Sequence, residues 1–133
     1  PCAPINLYGS LKLTQEQIIR SHCRNNNNNF IILRPICVFG NYDLGDRLVP
    51  KFVKASLTGQ EIFYAQETFT DITYVHDLVD AIVLSLESDI NNETFNISSE
   101  HTLSIKKLAE IIVKHYDSKS KSPNWLPFYG KRN

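Results

Sequence analysis

The spacing of apolar residues changes along this chain between a helical period and short continuous runs, which predicts helices alternating with strands. Over residues 6–23 the apolar positions fall three or four apart, as on one face of a helix. The five asparagines at residues 25–29 should end this helix, because asparagine tolerates the left-handed conformation that closes helices. The apolar run at residues 30–33 predicts a buried strand of the kind found in parallel sheets. The first helix takes its spacing from Leu7, Leu11, Thr14 and Ile18.

A second helix is expected over residues 49–58. Pro50 would lie in its first turn, where a missing N–H does no harm, and Gly59 would close it. Residues 61–65 and 71–75 predict two short strands. The side chains of this helix expected to face inward are Phe52, Val53 and Leu57.

Two further helices and one strand are predicted in the rest of the chain. A helix over residues 76–86 has an apolar stripe, and residues 94–97 predict a brief strand. Ser104 is a suitable N-cap for a last helix. The alternation of helices and strands predicts an α/β layered domain with a mostly parallel sheet. The stripes of the two helices are Val79, Ile82, Val83 and Leu86, and Leu108, Ile111, Ile112 and His115.

Composition narrows the class of protein. Of the 133 residues, 42% are hydrophobic, which favours a globular fold over a disordered chain. Lys+Arg and Asp+Glu number 14 each, so the formal charge is zero and favours neither nucleic acid nor a membrane surface as a partner. No apolar run approaches the roughly 20 residues of a membrane span. We expect a cytoplasmic protein with no nucleic-acid or membrane partner, and, since it begins at Pro1 and lacks methionine, a piece of a longer chain.

Cysteine and histidine spacing predicts no metal site. The cysteines are odd in number and show no CxxC pattern, so reduced thiols are expected. The histidines do not pair with cysteine or an acid at metal-ligand spacing. These residues are Cys2, Cys23 and Cys37, and His22, His76, His101 and His115.

Tyr8 and Lys12 are the first candidates for chemistry. They stand four residues apart in the segment YGSLK, so they share one face of the predicted helix, one turn apart. A phenol has an unperturbed pKa of about 10, and a fixed positive charge beside it favours the phenolate. The pair could therefore transfer protons, although the same spacing arises by chance on many exposed helices.

Four segments form a pattern when they are taken together. They are PINLYGSLK at residues 4–12 with Glu16 one turn further, LRPICVFG at 33–40, TDITYVHDLVDA at 70–81 and ETFNI at 93–97. In this order they resemble the extended short-chain dehydrogenase/reductases, often called NAD-dependent epimerase/dehydratases. The family patterns are the catalytic Tyr-x-x-x-Lys helix, L-R-P-x-N-V-Y-G, R-D-F-T-Y-V-D-D-x-V-x-A and G-x-x-Y-N-I-G. Each match alone is modest, and four in sequence are specific.

The resemblance implies a partial Rossmann-like α/β fold, made of the C-terminal half of the parallel-sheet domain and a substrate-binding region. Residues 1–40 would contain the catalytic helix and the following strand. Residues 41–116 would form the substrate-binding region with its returning strands and helices. The tail at residues 117–133 is not placed.

The resemblance also implies a site for NAD or NADP. In the family the tyrosine exchanges a proton with a substrate hydroxyl while the cofactor takes or returns a hydride. The lysine lowers the tyrosine pKa and binds the nicotinamide ribose. Tyr8 and Lys12 would therefore be catalytic and would both contact the cofactor. Pro35, Ile36 and Cys37 would line the nicotinamide side of the cleft.

The positions implied for substrate binding depart from the family pattern. Cys37 stands where nucleotide-sugar enzymes often have an asparagine that contacts the sugar phosphate. Thr70 stands where they have an arginine that pairs with the diphosphate, and threonine cannot replace that charged fork. Arg47 could supply a positive group from its loop, or it could be an exposed arginine in a salt bridge.

The family's phosphate loop, G-x-x-G-x-x-G, is not found in these 133 residues. The five glycines are too scattered to cradle a pyrophosphate. We therefore expect the isolated chain to bind dinucleotide poorly and to turn over little or nothing. The glycines are Gly9, Gly40, Gly45, Gly59 and Gly130.

The function implied is that of an NAD(P)-dependent epimerase or dehydratase acting on a hydroxyl or carbonyl of a sugar, with a nucleotide-linked sugar favoured. One alternative is a 3β-hydroxysteroid dehydrogenase-like oxidoreductase, because GDRLVP at residues 45–50 with residues 71–75 also resembles that branch. Its substrates need no diphosphate clamp. Another alternative is a truncated, non-catalytic homologue that acts as a binding module. Family members commonly dimerise through the Tyr-Lys helix, so the resemblance also allows a homodimer.

Overall fold

The structure is a computed structural model that describes residues 2–65, 68–116 and 124–126, with residues 65 and 124–126 described by their backbone alone. Helices and strands alternate, and most of the described strand pairs are parallel, so the predicted α/β class is confirmed. In chain order the elements are α1 (Leu7–Asn25), β1 (Ile31–Pro35), β2 (Val38–Phe39), α2 (Leu48–Thr58), β3 (Phe63–Ala65), β4 (Phe69–Thr70), β5 (Thr73–Tyr74), α3 (Val75–Glu87), β6 (Glu93–Ile97), β7 (Leu103–Ser104), α4 (Ile105–His115) and β8 (Asn124–Leu126).

Backbone contacts divide the chain into two compact units, each made of two separate segments. The first unit is Pro1–Pro35 with Val79–Ile97, and the second is Ile36–Leu78 with Ser98–Asn133. The functional boundary expected at residue 40 stays a prediction. Strand pairing, rather than order along the chain, decides which segments pack together.

In the first unit, α1 precedes the parallel pair of β1 and β6. The Asn6 side chain caps α1 by accepting the N–H of Gly9 at 2.8 Å. The helix ends in the asparagine run, as expected, and Asn27 adopts a left-handed φ of 54°. β1 pairs with β6 from Ile31 opposite Glu93 onwards. It therefore extends two residues beyond the predicted strand at 30–33.

The helices of the first unit carry apolar residues that are not buried. Among the described residues α1 has no buried side chain, and Leu7 is 76% exposed. The apolar stripe predicted for residues 76–86 lies within α3 at helical spacing. Like Leu7, its side chains are exposed, and Leu86 is 79% exposed. In this unit the core residue that the structure buries is Ile32 of β1.

The second unit contains the main hydrophobic core, formed by α2, α4 and the segment around β3. The predicted inward position of Phe52 is confirmed, but Leu57 is 65% exposed and that prediction is wrong. Ser56 is buried instead, because it lies one turn after Phe52 on the same helical face. The core residues are Phe52, Ile62, Tyr64, Ile105, Leu108, Ala109 and Ile112.

The face of α4 is rotated from the predicted one. Leu108 and Ile112 are buried as expected, whereas Ile111 and His115 are exposed. The buried face continues through Ile105 and Ala109, so it lies on the other side of Leu108 from Ile111. The predicted N-cap, Ser104, accepts the N–H of Lys107 at 3.1 Å and is confirmed.

Short strands complete the second unit. β2 pairs in parallel with β5, β3 in parallel with β8, and β4 antiparallel with β7. Residues 36–40 were expected to lead into a loop, and β2, β4 and β7 were not predicted as strands, because two residues are too few to show a period. Gly59 closes α2 with a left-handed φ of 68°, as predicted. Of the tail, residues 124–126 form β8, and its other residues lie outside the described chain.

Candidate active site

The structure brings Tyr8 and Lys12 together on the exposed face of α1. The Nζ of Lys12 lies over the Tyr8 ring, 5.6 Å from its centroid. Tyr8 is 71% exposed, so its hydroxyl is open to a ligand. The cap that Asn6 provides holds the first helical turn from which Tyr8 projects. An ammonium at this distance from an aromatic face is attracted by its quadrupole, and the pair presents a phenol and a cation on one surface.

A second pair of charged side chains joins the same helix to β1. Arg34 donates from Nε to Oε1 of Glu16 at 2.7 Å and from Nη2 to Oε2 at 2.5 Å. This two-point contact with Arg34 lowers the pKa of the Glu16 carboxyl, because it stabilises the charged form. The same contact with Glu16 raises the pKa of Arg34. Because Glu16 lies one turn after Lys12, this ion pair borders the Tyr8–Lys12 surface.

An open cavity of about 270 Å³ lies beside Lys12 in the first unit. Residues 2–4 form one wall, and α1 forms the other. The lining residues from α1 include Lys12 and Glu16, so both charged side chains are accessible from this cavity.

The residues predicted to line the nicotinamide side fall on both units. Pro35 is the exposed last residue of β1 in the first unit, and Ile36 and Cys37 open the second. Cys37 is exposed and has a left-handed φ of 35°, which is uncommon for a residue other than glycine. Its carbonyl accepts the N–H of Thr73 at 3.3 Å, and this bond joins the residue before β2 to β5.

Thr70, predicted to bind substrate, lies half-buried at the end of β4. Its hydroxyl donates to the Asp71 carbonyl at 3.0 Å. The Asp71 carboxylate accepts the Ser99 hydroxyl at 2.7 Å and the Ser99 N–H at 3.1 Å. Hydrogen bonding by Ser99 lowers the pKa of Asp71, because it stabilises the charged form. Asp71 thus ties the segment after β4 to the loop that follows β6.

Arg47, the third predicted substrate-binding residue, is an exposed residue in a salt bridge. Its Nη2 lies 3.0 Å from Oδ2 of Asp43, four residues earlier. It precedes α2 at the N-cap position without a side-chain cap bond. An open cavity of about 700 Å³ lies between this loop and α2. Arg47 itself lines a different open cavity, of about 260 Å³, and its guanidinium is already paired with a carboxylate.

Tyr8 and Lys12 present an exposed hydroxyl and an exposed ammonium, groups that can hydrogen-bond the hydroxyls of a ribose. A dinucleotide also needs a site for its pyrophosphate, which helix N-termini with glycine-rich loops often provide. In the described chain no helix begins with such a loop, and the N-termini of α1 and α4 are capped by the side chains of Asn6 and Ser104. In the same part of the chain, no three His, Cys, Asp or Glu side chains cluster to hold a metal, and no helix is long and apolar enough to cross a membrane.

Sequence reasoning noted Glu16 and Arg34 within the motifs but assigned neither a role at the site. A carboxylate one turn after Lys12 and an arginine at the end of an apolar strand were the available signals. The bond between Asp71 and Ser99 had no such signal, because Ser99 lies outside the four motifs.

Comparisons with known proteins place the chain in a family. Residues 1–98 match the NAD dependent epimerase/dehydratase family. An uncharacterized protein of Methanocaldococcus jannaschii is 31% identical over 126 residues, which cover 93% of this chain and 38% of that protein. The dTDP-D-glucose 4,6-dehydratase of Homo sapiens is 24% identical over 137 residues, which cover 99% of this chain and 39% of that protein. The chain thus spans about two fifths of the length of these curated relatives.

The fold agrees with this match. The UDP-glucose 4-epimerase of Thermotoga maritima, solved with UDP-glucose, superposes with a TM-score of 0.86 at 25% identity, covering 97% of this chain and 43% of that one. The predicted Rossmann-like fold is therefore confirmed. The predicted cofactor was NAD or NADP, and NAD is the one for which the family is named. The chain belongs to the NAD-dependent epimerase/dehydratase family.

Proposed function

We propose that Tyr8 and Lys12 are the proton-transfer pair of an enzyme that acts with NAD on a hydroxyl or carbonyl of a nucleotide-linked sugar, in an epimerisation or a dehydration. The observation that carries the proposal is the placement of the Lys12 ammonium over the Tyr8 ring, 5.6 Å from its centroid, on an exposed helix face. Family membership supports the cofactor. The relatives named for UDP-glucose and dTDP-D-glucose support the class of substrate.

Each residue has a separate task in this proposal. The Tyr8 phenolate accepts the proton of the substrate hydroxyl and returns it to the carbonyl oxygen in the reverse step. The Lys12 ammonium stabilises the negative charge on the phenolate oxygen and binds the cofactor ribose. NAD, when bound, supplies the acceptor and donor of the hydride. Pro35, at the end of β1 in the same unit, lines the nicotinamide side of the site in this proposal.

The substrate-binding positions favour a second candidate function. The Thr70 hydroxyl is uncharged and donates to a backbone carbonyl, and the Arg47 guanidinium is paired with Asp43. A buried diphosphate is usually met by an arginine fork, which neither side chain offers in this arrangement. These contacts favour a substrate without a diphosphate, such as the secondary alcohol of a sterol, handled by the same Tyr8–Lys12 pair.

Turnover by the native protein that contains this chain separates the two candidates. We would incubate it with NAD and UDP-glucose, with dTDP-glucose, or with a 3β-hydroxysteroid, and resolve the products by chromatography. We expect conversion of a sugar nucleotide, reduced at least about 10²-fold by Tyr8→Phe, because the variant lacks the group that moves the proton. Tyr116→Phe is the matched control, since it removes a phenol hydroxyl from a half-exposed tyrosine at the end of α4.

Two results would change the assignment. Conversion of the steroid alone would identify a steroid rather than a sugar as the substrate and would leave the proposed role of Tyr8 and Lys12 unchanged. Equal rates for Tyr8→Phe and Tyr116→Phe would remove Tyr8 from the chemistry.

A separate titration of the 133-residue chain with NADH, followed by fluorescence, should show no saturable binding, because its described residues include no pyrophosphate cradle. Micromolar binding would show that this chain alone suffices for the cofactor.

A further inference from the structure

Lys12 and Glu16 share one face of α1, yet they are not paired. Opposite charges four residues apart on a helix attract each other. Among the described residues, however, the salt bridges include none between Lys12 and Glu16. The Lys12 ammonium instead lies over the ring of Tyr8. Something therefore keeps the nearest carboxylate of the helix away from this ammonium.

Both oxygens of the Glu16 carboxylate are bound by Arg34. They accept from the guanidinium, at 2.7 Å and 2.5 Å. The two side chains are only 15% and 33% exposed, so water competes weakly for this contact. A two-point, charge-assisted bond of this kind is stronger and more directional than a bond to a lysine ammonium.

Another cation near Glu16 is also held in place. Arg20 lies one turn after Glu16, donates to Oγ1 of Thr94 at 2.5 Å, and lies over the Phe30 ring, 5.2 Å from its centroid. Glu16 is therefore bordered by Lys12, Arg20 and Arg34, and the cation that approaches from β1 takes both carboxylate oxygens.

We propose that Arg34 is a positioning residue, which occupies both oxygens of Glu16 and so leaves the Lys12 ammonium free to remain beside Tyr8. Without Arg34, the Glu16 carboxylate would draw Lys12 towards it along the helix face. The functional meaning of this arrangement rests on the proposed role of Tyr8 and Lys12. The arrangement itself can be tested without turnover.

The test is nuclear magnetic resonance on the 133-residue chain with labelled lysine and tyrosine. The probes are the nuclear Overhauser contact between the Lys12 ε-CH2 protons and the Tyr8 ring, and the ring-current shift of those protons. In Arg34→Gln we expect the contact to weaken by about twofold, which is the population change produced by an ion pair one turn apart on a helix. An unchanged contact would overturn the inference, because Arg20 or water would then suffice to hold Glu16.

Arg34 also joins α1 to β1, so the control must separate charge capture from a loosened fold. The double variant Arg34→Gln with Glu16→Gln removes the competing carboxylate, and we expect it to restore the contact. Acidification of the single variant should do the same by protonating Glu16. Around this carboxylate the ionisable groups are Lys12, Arg20 and the Cys2 thiol.

These outcomes separate the inference from the proposed function. If the contact stays weak in the double variant and in acid, Arg34 acts through the fold alone and the inference is wrong. If Arg34→Gln moves Lys12 while Tyr8→Phe leaves turnover by the native protein unchanged, the inference stands and the proposed function fails.

Discussion

Replacing Gly40 with alanine should destabilise the second unit, because Gly40 lies against Val75. An ideal Cβ at residue 40 would lie 2.4 Å from Cγ1 of Val75 and 2.9 Å from its Cβ. The pairing of Phe39 with Tyr74 in β2 and β5 places the next residues, Gly40 and Val75, side by side. Since the Val75 Cβ is itself too close, a change of rotamer cannot relieve the contact.

The expected cost follows from this geometry. Carbon atoms attract at about 3.5–4.0 Å and repel strongly at shorter distances. The backbone segments that contain Gly40 and Val75 must therefore separate by roughly an ångström, and overpacking of this kind costs about 1–3 kcal/mol. The Val75→Ala background removes Cγ1 and leaves Cβ, so we expect Gly40→Ala to cost at least about 0.5 kcal/mol less in that background.

Urea unfolding followed by far-ultraviolet circular dichroism measures the loss. Gly45→Ala is the matched control, because its added Cβ would meet only the side-chain atoms Asp43 Oδ1 at 3.2 Å and Arg47 Nε at 3.7 Å. These atoms can move, so this variant should remain within about 0.5 kcal/mol of the parent. If Gly40→Ala unfolds at the same urea concentration as Gly45→Ala, the close packing of β2 against the start of α3 is refuted.

Three further variants test the site. Asn6→Ala removes the 2.8 Å cap bond to Gly9 and should cost about 1 kcal/mol, which faster amide exchange in the first turn of α1 would report; unchanged exchange would refute the cap. The pKa of Glu16 is lowered from 4.5 in the folded state, so the unfolded chain binds more protons in acid. The stability that ionised Glu16 contributes is present above its unfolded pKa of 4.5 and is lost as the pH falls through its lower folded pKa. Wild type should therefore lose more stability than Glu16→Gln between about pH 6 and about pH 3, and equal losses would contradict this. Asp71→Ala should speed amide exchange at Ser99, which loses its carboxylate acceptor, and no change would show that the bond is not formed in solution.

Features that depend on neighbouring residues could be predicted from the sequence. The cap at Ser104, the closure of α2 by Gly59 and the end of α1 among the asparagines each follow from local backbone chemistry. The proximity of Tyr8 and Lys12 is local in the same sense, because the helix alone sets their spacing.

Features that depend on packing between distant segments could not be predicted. The apolar spacing of α2 and α4 was visible, but which side of each helix is buried depends on how the two pack together. Leu57 and Ile111 were therefore placed wrongly. The pairing of Arg34 with Glu16 likewise depends on β1 lying beside α1, and spacing along the chain does not contain that information.

The most direct test of the Tyr8–Lys12 assignment is a single-turnover measurement on the native protein that contains this chain. Substrate and NAD are mixed rapidly, and the absorbance of the reduced nicotinamide is followed in wild type, Tyr8→Phe and Tyr116→Phe. We predict that wild type and Tyr116→Phe form the reduced cofactor at the same rate and that Tyr8→Phe is at least about 10²-fold slower. Formation at the wild-type rate in Tyr8→Phe would contradict the assignment of Tyr8 as the group that takes the substrate proton.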